Sequence, residues 1–325
     1  MEIIRQIRKP IEADMERYRV LFDSYLNHSD PLLREVFKAI SERKGKMMRP
    51  MLTLLVSKLL GGEIAEKSLY TAATFEYFHT ASLVHDDIVD ESEERRGQKS
   101  VNCAYGNKVA VLVGDYLLAN ALLCASRAGS LRLVGIVSRA AQNLASGEIL
   151  QLDNVNNQDI SEAVYFDIIR NKTAALFSAC AEAGALSVSA DETDAERMKM
   201  LGEYIGICFQ IRDDIFDYSD DASIGKPTGN DMKEGKLTLP VIYALLTADD
   251  ERMMDIAHKV KMGDASQDMI DELVAFTKVN GGIEYAVKVM DDYAMKAKSL
   301  LEGYPDSEAK ASLLLYVDYA IKRIL

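Results

Sequence analysis

The chain has 325 residues, 48% of them hydrophobic, and a formal net charge of −13, an acidity that no basic tract offsets and that argues against a nucleic-acid partner. No uninterrupted apolar run reaches the ~20 residues of a membrane span, and Met1 to Pro10 is too charged for a signal peptide. Cys103, Cys124, Cys180 and Cys208 lack the paired spacing of zinc or redox centres and His28, His79, His85 and His258 form no ligand cluster, so the thiols read as packing residues in a reducing, cytoplasmic setting.

Helix punctuation is legible from the N-terminus onward. Asp30 caps a predicted helix with Pro31 in its first turn and Gly45 beyond its end, and Pro50 opens the next. Leu52 to Leu60 stops at Gly61-Gly62. No proline occurs between Pro50 and Pro227, so long helices are expected at Lys67 to Asp90, Lys108 to Arg127, Leu131 to Leu152, Ser161 to Leu186 and Asp194 to Tyr218. The last of these is opened by the capping box Thr193-Asp194-Ala195-Glu196. Glu91 to Asn107 is a polar exit, and Asp220 to Leu237 is a loop rich in Gly, Pro and Lys. Four or five shorter helices complete the chain. With no alternating strand pattern and no linker, the expected fold is all-α, one domain over residues 1–325.

Two helix ends carry the same aspartate pattern, Asp86-Asp87-Ile88-Val89-Asp90 and Asp213-Asp214-Ile215-Phe216-Asp217. Positions i and i+4 put the outer carboxylates one turn apart on one face, with the middle one beside them. Like charges so crowded repel unless a cation satisfies them, and hard oxygen ligands with room for water and phosphate suit Mg²⁺. An isolated acidic run on a helix is ordinarily a solvated face; the repetition is what points to a metal. If the two helices face each other, six carboxylates converge on one cavity able to hold several Mg²⁺ ions around a diphosphate. Cations lie near both: Arg95-Arg96-Gly97 after the first, Lys226 and Lys236 after the second, and Lys46, Arg49, Arg170 and Lys172 besides. A lone Lys or Arg is ordinarily a surface group, but these sit beside Gly, Thr and Pro at helix ends, where backbone donors and guanidinium forks grip phosphate.

The motifs resemble those of the trans-isoprenyl diphosphate synthases, or polyprenyl synthetases: GKxxRP at Gly45 to Pro50, HTxSLVHDDxxD at His79 to Asp90, RRG at Arg95 to Gly97, GD at Gly114-Asp115 and KTA at Lys172 to Ala174. FQxRDDxxD follows at Phe209 to Asp217, then GKPxGxD at Gly225 to Asp231 and GKLTLP at Gly235 to Pro240, all in family order. The resemblance implies a single large helical bundle of the isoprenoid synthase type around a central cavity. It also implies a reaction, in which an allylic diphosphate ionises, the double bond of isopentenyl diphosphate attacks the carbocation, and a proton is lost to leave a chain five carbons longer. Asp86, Asp87, Asp90, Asp213, Asp214 and Asp217 would bind Mg²⁺, three ions per active site with substrate bound. Arg95, Lys172 and Lys226 would hold the allylic diphosphate, with Lys236 as helper, and Lys46, Arg49, His79 and Arg96 would hold isopentenyl diphosphate. Thr173 and Gln210 would lie near the reacting carbons, unless they merely satisfy nearby backbone. No protein base is obvious; in the family the departing diphosphate is thought to take the proton. A homodimer packed through helices near Lys108 to Arg127 is implied too, with transient membrane association for product release left open.

Met47 stands where the family usually has arginine, Asn230 where lysine is common, and Glu148 where short-chain members often carry glutamine. Glu148 and Gln151 share a helix face and either touch the diphosphate region or pair with a neighbouring cation, the second reading being favoured. Product length depends on the rungs below the first triplet: Ser82, Ala81 and Phe78 lie four, five and eight residues before Asp86, and a helical turn is 5.4 Å, close to an isoprene unit. Members making C15 or C20 chains commonly carry an aromatic residue at the fourth or fifth position. Both are small here, so a long-chain enzyme near C40, serving quinone side chains, is expected. The alternatives are a short-chain farnesyl or geranylgeranyl diphosphate synthase and a non-catalytic subunit of a heteromeric synthase. A terpene cyclase fits less well, since its second metal motif usually mixes Asn, Ser and Glu, and a head-to-head synthase lacks the RRG and GK segments.

Overall fold

The computed structural model describes residues 2–42, 45–95, 97–156, 159–218 and 228–322. Helix α1 (Glu2–Arg8) leads through a 3₁₀ turn at Lys9–Ile11 into α2 (Glu12–Tyr25), followed by α3 (Pro31–Glu42), α4 (Met48–Gly61) and α5 (Glu66–Val89). The strands β1 (Glu94–Arg95) and β2 (Gln98–Lys99) precede α6 (Val101–Tyr105), α7 (Asn107–Arg127), α8 (Leu131–Asn156) and α9 (Glu162–Ile169). A π-turn at Arg170–Ala174 joins α9 to α10 (Ala175–Leu186), and α11 (Glu192–Phe216) carries the second triplet. The remainder is α12 (Asn230–Lys233), α13 (Leu239–Ala248), α14 (Glu251–Lys261), α15 (Gln267–Val279), α16 (Gly282–Ser299) and α17 (Glu308–Ile321). The all-α expectation holds. The chain divides into two compact units, one of Met1–Arg139, Ala179–Lys199 and Tyr304–Leu315, the other of Ala140–Ser178, Met200–Gly303 and Tyr316–Leu325.

In the first unit Ile7, Ile11, Met15, Tyr18 and Phe22 recur at helical spacing and are each at most 3% exposed. The α2 part of this stripe packs on α5, where Tyr77 stacks on Phe22 with ring centres 4.3 Å apart and donates a hydrogen bond to its carbonyl. α4 is buried from Pro50 to Ser57. Its polar members are satisfied locally, since Ser57 and Ser68 meet the Ser187 hydroxyl at 2.9 and 2.7 Å and Thr53 donates to the Cys180 carbonyl at 3.2 Å. α4 begins two residues before the expected Pro50, from a Met47 held at φ 53°. Asp30 caps α3 as expected, accepting from Leu33 N at 3.0 Å. The short β1–β2 pair, absent from the sequence reading, turns at Gly97 (φ 74°), with Arg95 opposite Gln98. Two residues are too few for an alternating pattern. The pair is fixed by side chains, Ser100 Oγ donating to Ser92 O at 2.6 Å, and by Ser92 N donating to Asp87 O at 2.9 Å.

α7 buries Ala110, Val113, Gly114, Leu117, Ala121 and Cys124, and Gly114 lies so close to His85 of α5 that a Cβ there would run into the imidazole. The opposite face exposes Val111, Leu112, Leu122 and Leu123. Although Asp115 interrupts the apolar run, α7 is long and apolar enough to cross a membrane, contrary to expectation; its buried face packs as a core helix does.

In the second unit Tyr218, Met232, Val241, Leu245, Met253, Ile256, Val260, Ile270 and Leu273 form the core. The expected single helix from Ser161 to Leu186 is interrupted at the π-turn, where Ala175 N–H donates to Arg170 O, five residues back. An inserted residue rotates all that follows by about 100°. α11 starts at Glu192, capped by Asp191, whose Oδ1 accepts from Asp194 N at 2.8 Å; the expected Thr193 box is displaced because this carboxylate reaches the first-turn donors sooner. Gly202 of α11 is required by close approach, since a Cβ there would overlap Phe177 O and stand 2.7 Å from Ser178 Cα. Gly202→Ala should therefore destabilise the fold by about 1–3 kcal/mol. Gly135→Ala, whose Cβ would meet only Arg139 Nη1 at 3.7 Å, should be neutral or mildly stabilising; thermal melts of the pair check this.

Candidate active site

The first triplet sits where α5 runs out. Asp90 closes the helix, its N–H donating to Asp86 O at 2.8 Å. The three carboxylates face different surroundings: Asp86 is half-buried, Asp90 is exposed, and Asp87 is only 2% exposed. Asp87 Oδ1 accepts from Arg95 Nε at 2.5 Å, and Asn102 Nδ2 donates to the Asp87 carbonyl at 3.0 Å. The β1–β2 pair thus returns the chain so that Arg95, expected to hold diphosphate, lies against the triplet itself. Arg49 of α4 and His79 of α5, both expected at isopentenyl diphosphate, stand 2.9 Å apart, Nη1 to Nε2. His79, Asp87 and Arg95 line one cavity with Gly45 and Met47, floored by Phe22, Ile40, Leu83, Val84 and Val101. Lys46 is exposed beside it in sequence, and Arg96 lies outside the described residues.

The second triplet ends α11 and is divided still further. Asp213 is exposed, with Arg212 Nη2 donating to its Oδ1 at 2.8 Å while Arg212 Nη1 donates to Tyr319 O at 3.2 Å. Asp214 is 3% exposed. Its Oδ2 accepts from the Tyr165 hydroxyl at 2.6 Å and its Oδ1 from Gln210 Nε2 at 2.8 Å. Burial and the nearby Asp231 push this carboxyl up to about 8, against the pull of the two donors. Asp217 accepts from the backbone, Asn230 N to Oδ1 at 2.9 Å and Asp231 N to Oδ2 at 3.2 Å, so it caps the short α12 beyond the left-handed Gly229 (φ 75°).

Lys172 and Thr173 occupy the π-turn. Lys172 Nζ lies 2.8 and 2.9 Å from the Glu148 oxygens and 3.5 Å from Gln151 Oε1, the cation pairing favoured for these two residues. Gly147 permits the approach of α8, since a Cβ there would lie 2.8 Å from Lys172 N. Thr173 Oγ1 donates to Gln210 Oε1 at 2.7 Å. Lys172, Thr173, Gln210, Asp214 and Lys236 line one cavity with Tyr165 and Asp231. Lys236 Nζ is held by Glu234 at 2.6 Å; Lys226 lies outside the described residues. Tyr165 and Asp231 were not singled out in the sequence, although Asp231 closes the GKPxGxD segment. Cys124, Cys180 and Cys208 are buried, and burial pushes their thiols up to about 12, which suits packing rather than chemistry. On the rungs below the first triplet, Ala81 is 0% and Phe78 5% exposed, while Ser82 is half-buried and donates to His79 O at 2.9 Å.

Hard carboxylate oxygens are the donor type Mg²⁺ takes. Asp86 is half-buried and Asp90 and Asp213 are exposed, Asp213 accepting from Arg212, while Asp87, Asp214 and Asp217 accept from Arg95, from Tyr165 and Gln210, and from backbone N–H groups. Among the described residues no three carboxylate, imidazole or thiol side chains stand together as a closed metal cage.

An all-α fold with aspartate triplets at two helix ends, each near fixed cations, is the architecture of a prenyltransferase. The chain belongs to the polyprenyl synthetase family, whose model matches residues 30–277. It is 34% identical over 321 residues to the octaprenyl diphosphate synthase of Haemophilus influenzae, covering 98% of this chain and 97% of that one. Among solved structures it is 49% identical to a geranylgeranyl pyrophosphate synthase from Bacteroides thetaiotaomicron (TM-score 0.87, covering 99% and 100%). It is also 31% identical to a polyprenyl synthase from Caulobacter crescentus complexed with calcium and isoprenyl diphosphate (TM-score 0.91, covering 98% of each). The activity is that of a trans-prenyl diphosphate synthase in isoprenoid biosynthesis.

Proposed function

We propose that the chain, acting as one synthase domain over residues 1–325, condenses isopentenyl diphosphate with an allylic diphosphate such as farnesyl diphosphate, in a Mg²⁺-dependent reaction, to an all-trans product near C40 for quinone side chains. The observation that carries the reading is the difference in exposure within each triplet, with Asp86, Asp90 and Asp213 reaching solvent as oxygen donors while Asp87 and Asp214 are buried. Mg²⁺, three ions per site in this reading, supplies withdrawal of electron density from the leaving diphosphate. Lys172 and Lys226 hold the allylic diphosphate, with Lys236 as helper. Arg95, which also braces Asp87, is assigned to the same diphosphate. Lys46, Arg49, His79 and Arg96 hold isopentenyl diphosphate. The allylic C–O bond breaks with its electron pair leaving on the diphosphate, the isopentenyl double bond supplies the pair of the new C–C bond, and the lost proton goes to the departing diphosphate. Thr173 and Gln210 present oxygen to the cation.

Support for a long product is the pair of small residues Ala81 and Ser82. A C20 product is the second reading, favoured by the 49% identity to a geranylgeranyl pyrophosphate synthase. The test is to incubate the purified chain alone with Mg²⁺, labelled isopentenyl diphosphate and farnesyl diphosphate, and to size the dephosphorylated alcohols. Chains of C35 or more support the long-chain reading and C20 the second; no product would point to a required second subunit.

The exposed stripe of α7 supports a homodimer. Val111 and Leu112 are 42% and 67% exposed, Leu122 and Leu123 55% and 53%, three turns apart on one face. Leu112→Glu with Leu123→Glu should give a monomer in sedimentation; an unchanged dimer would place the interface elsewhere.

A further inference from the structure

Four side chains of the second unit form an unbroken hydrogen-bond series: Thr173 Oγ1 to Gln210 Oε1 (2.7 Å), Gln210 Nε2 to Asp214 Oδ1 (2.8 Å), and Tyr165 Oη to Asp214 Oδ2 (2.6 Å). Three elements meet in it, since Tyr165 lies on α9, Thr173 in the π-turn, and Gln210 and Asp214 one turn apart on α11. Tyr165 is 5% and Asp214 3% exposed. A carboxyl so placed has both oxygens occupied by donors of its own chain. At 3% exposure it turns little surface to a metal.

An amide has one end that donates and one that accepts, so what meets the first end decides what the second offers. Asp214 Oδ1 accepts from Gln210 whether or not the carboxyl is protonated, because a proton on this group would sit on Oδ2 and face Tyr165. The Gln210 carbonyl is thereby turned to Thr173, whose hydroxyl proton is engaged there and whose lone pairs remain for the cavity that Lys172, Thr173 and Lys236 line. Were the amide reversed, its N–H would donate to Thr173, and the hydroxyl proton would be released toward the same space. One orientation puts electron-rich oxygen near a developing cation; the other puts a positive hydrogen there.

We propose that Tyr165 and Asp214 are a positioning pair that fixes the Gln210 amide, so that Thr173 presents oxygen rather than hydrogen to the allylic cation, and that Asp214 serves in this way rather than as a metal ligand. The inference rests on the prenyl-transfer reading above, which gives the cavity its cation.

The test uses binding as well as turnover, on the full chain with Mg²⁺. Two probes are compared by calorimetry: a non-ionising thiolodiphosphate analogue of farnesyl diphosphate, and an aza analogue with an ammonium in place of the cationic carbon, supplied with pyrophosphate. Asp214→Ala should weaken the ammonium probe by roughly tenfold or more and the neutral probe by less than about twofold, with turnover falling by roughly 10²-fold. Asp214→Asn keeps an oxygen for Gln210 and should restore most of that affinity, which a carboxylate needed for metal charge would not allow. Tyr165→Phe should fall between them. In all three the Mg²⁺ concentration for half activity should stay within about twofold of the parent value, while Asp213→Asn raises it. The proposal is overturned if Asp214→Asn is as damaging as Asp214→Ala, if either raises the Mg²⁺ requirement as Asp213→Asn does, or if both probes weaken equally. Equal weakening would indicate a structural role, and Tyr165→Phe, the mildest change, keeps that comparison open should Asp214→Ala fold poorly. Parent protein that binds neither probe would overturn the prenyl-transfer reading, and the inference with it.

Discussion

Asp86→Ala and Asp213→Ala should each lower turnover by roughly 10²- to 10³-fold, because each removes a solvent-reaching carboxylate from the charge that offsets the leaving diphosphate. Their folds should survive. Asp86 is half-buried at the end of α5 beside Asp87 and Asp90, and its loss relieves repulsion among the three, so the melting temperature without metal should stay close to that of the parent. Asp213 Oδ1 accepts from Arg212 at 2.8 Å, and its removal should cost up to about 1 kcal/mol. Asp87→Ala is the contrasting case. It takes a buried acceptor from Arg95 Nε at 2.5 Å and should destabilise the fold by about 1–3 kcal/mol as well as slow turnover. Melts in the absence of Mg²⁺ beside steady-state rates in its presence separate these effects. Strong destabilisation by Asp86→Ala would make that carboxylate structural and remove it from the metal set.

The contrast between Asp86 and Asp87 marks how far the sequence could be read. Spacing i, i+1, i+4 gave the relative directions of three carboxylates on one helix. It could not give which direction faced Arg95, because that depends on a two-residue strand pair too short to leave a pattern. The same limit hid the division of the second triplet: Asp217 caps α12 only because Asn230 and Asp231 lie against it, a closure invisible in local periodicity. Tyr165 was missed for another reason. A tyrosine in an apolar helix is ordinarily core, and its hydroxyl becomes informative only when its partner is known to be Asp214. The π-turn was equally silent, since Ser161 to Leu186 has the composition of one helix, and the shift at Arg170 becomes evident only through the partners that Lys172 and Thr173 reach. By contrast, the long helices α5, α7 and α8, the Asp30 cap and the Lys172 pairing with Glu148 were legible, because propensity, caps and i, i+3 faces are local.

Ala81→Phe should convert the enzyme into one that releases C15 or C20 product. Ala81 is fully buried on the face of α5 that also carries His85, one turn toward the triplet, and His85 packs against Gly114 of α7. A ring at position 81 therefore enters the α5–α7 seam about one and a half turns below Asp86, each turn spanning 5.4 Å. The carboxylates stay in place, so the first condensation should run near the parent rate, and only additions that carry the chain past the ring should stop. Overlap with a later isoprene unit costs more than its burial gains. The same crowding burdens the fold, since filling a packed seam costs about 1–3 kcal/mol. Ser82→Phe is the companion, at a half-buried position turned about 100° from Ala81 and less constrained by α7. Sizing the alcohols from parent, Ala81→Phe and Ser82→Phe in one assay separates the possibilities. If only Ala81→Phe shortens the product, the chain grows along the seam; if only Ser82→Phe does, it grows along the neighbouring face. If neither does and the parent makes C35 or more, the path avoids this part of α5, and the small residues lose their bearing on length. A parent that itself stops at C20 would mean that something other than residues 81 and 82 sets the floor, with Phe78, 5% exposed and one turn deeper, the first residue to replace by alanine.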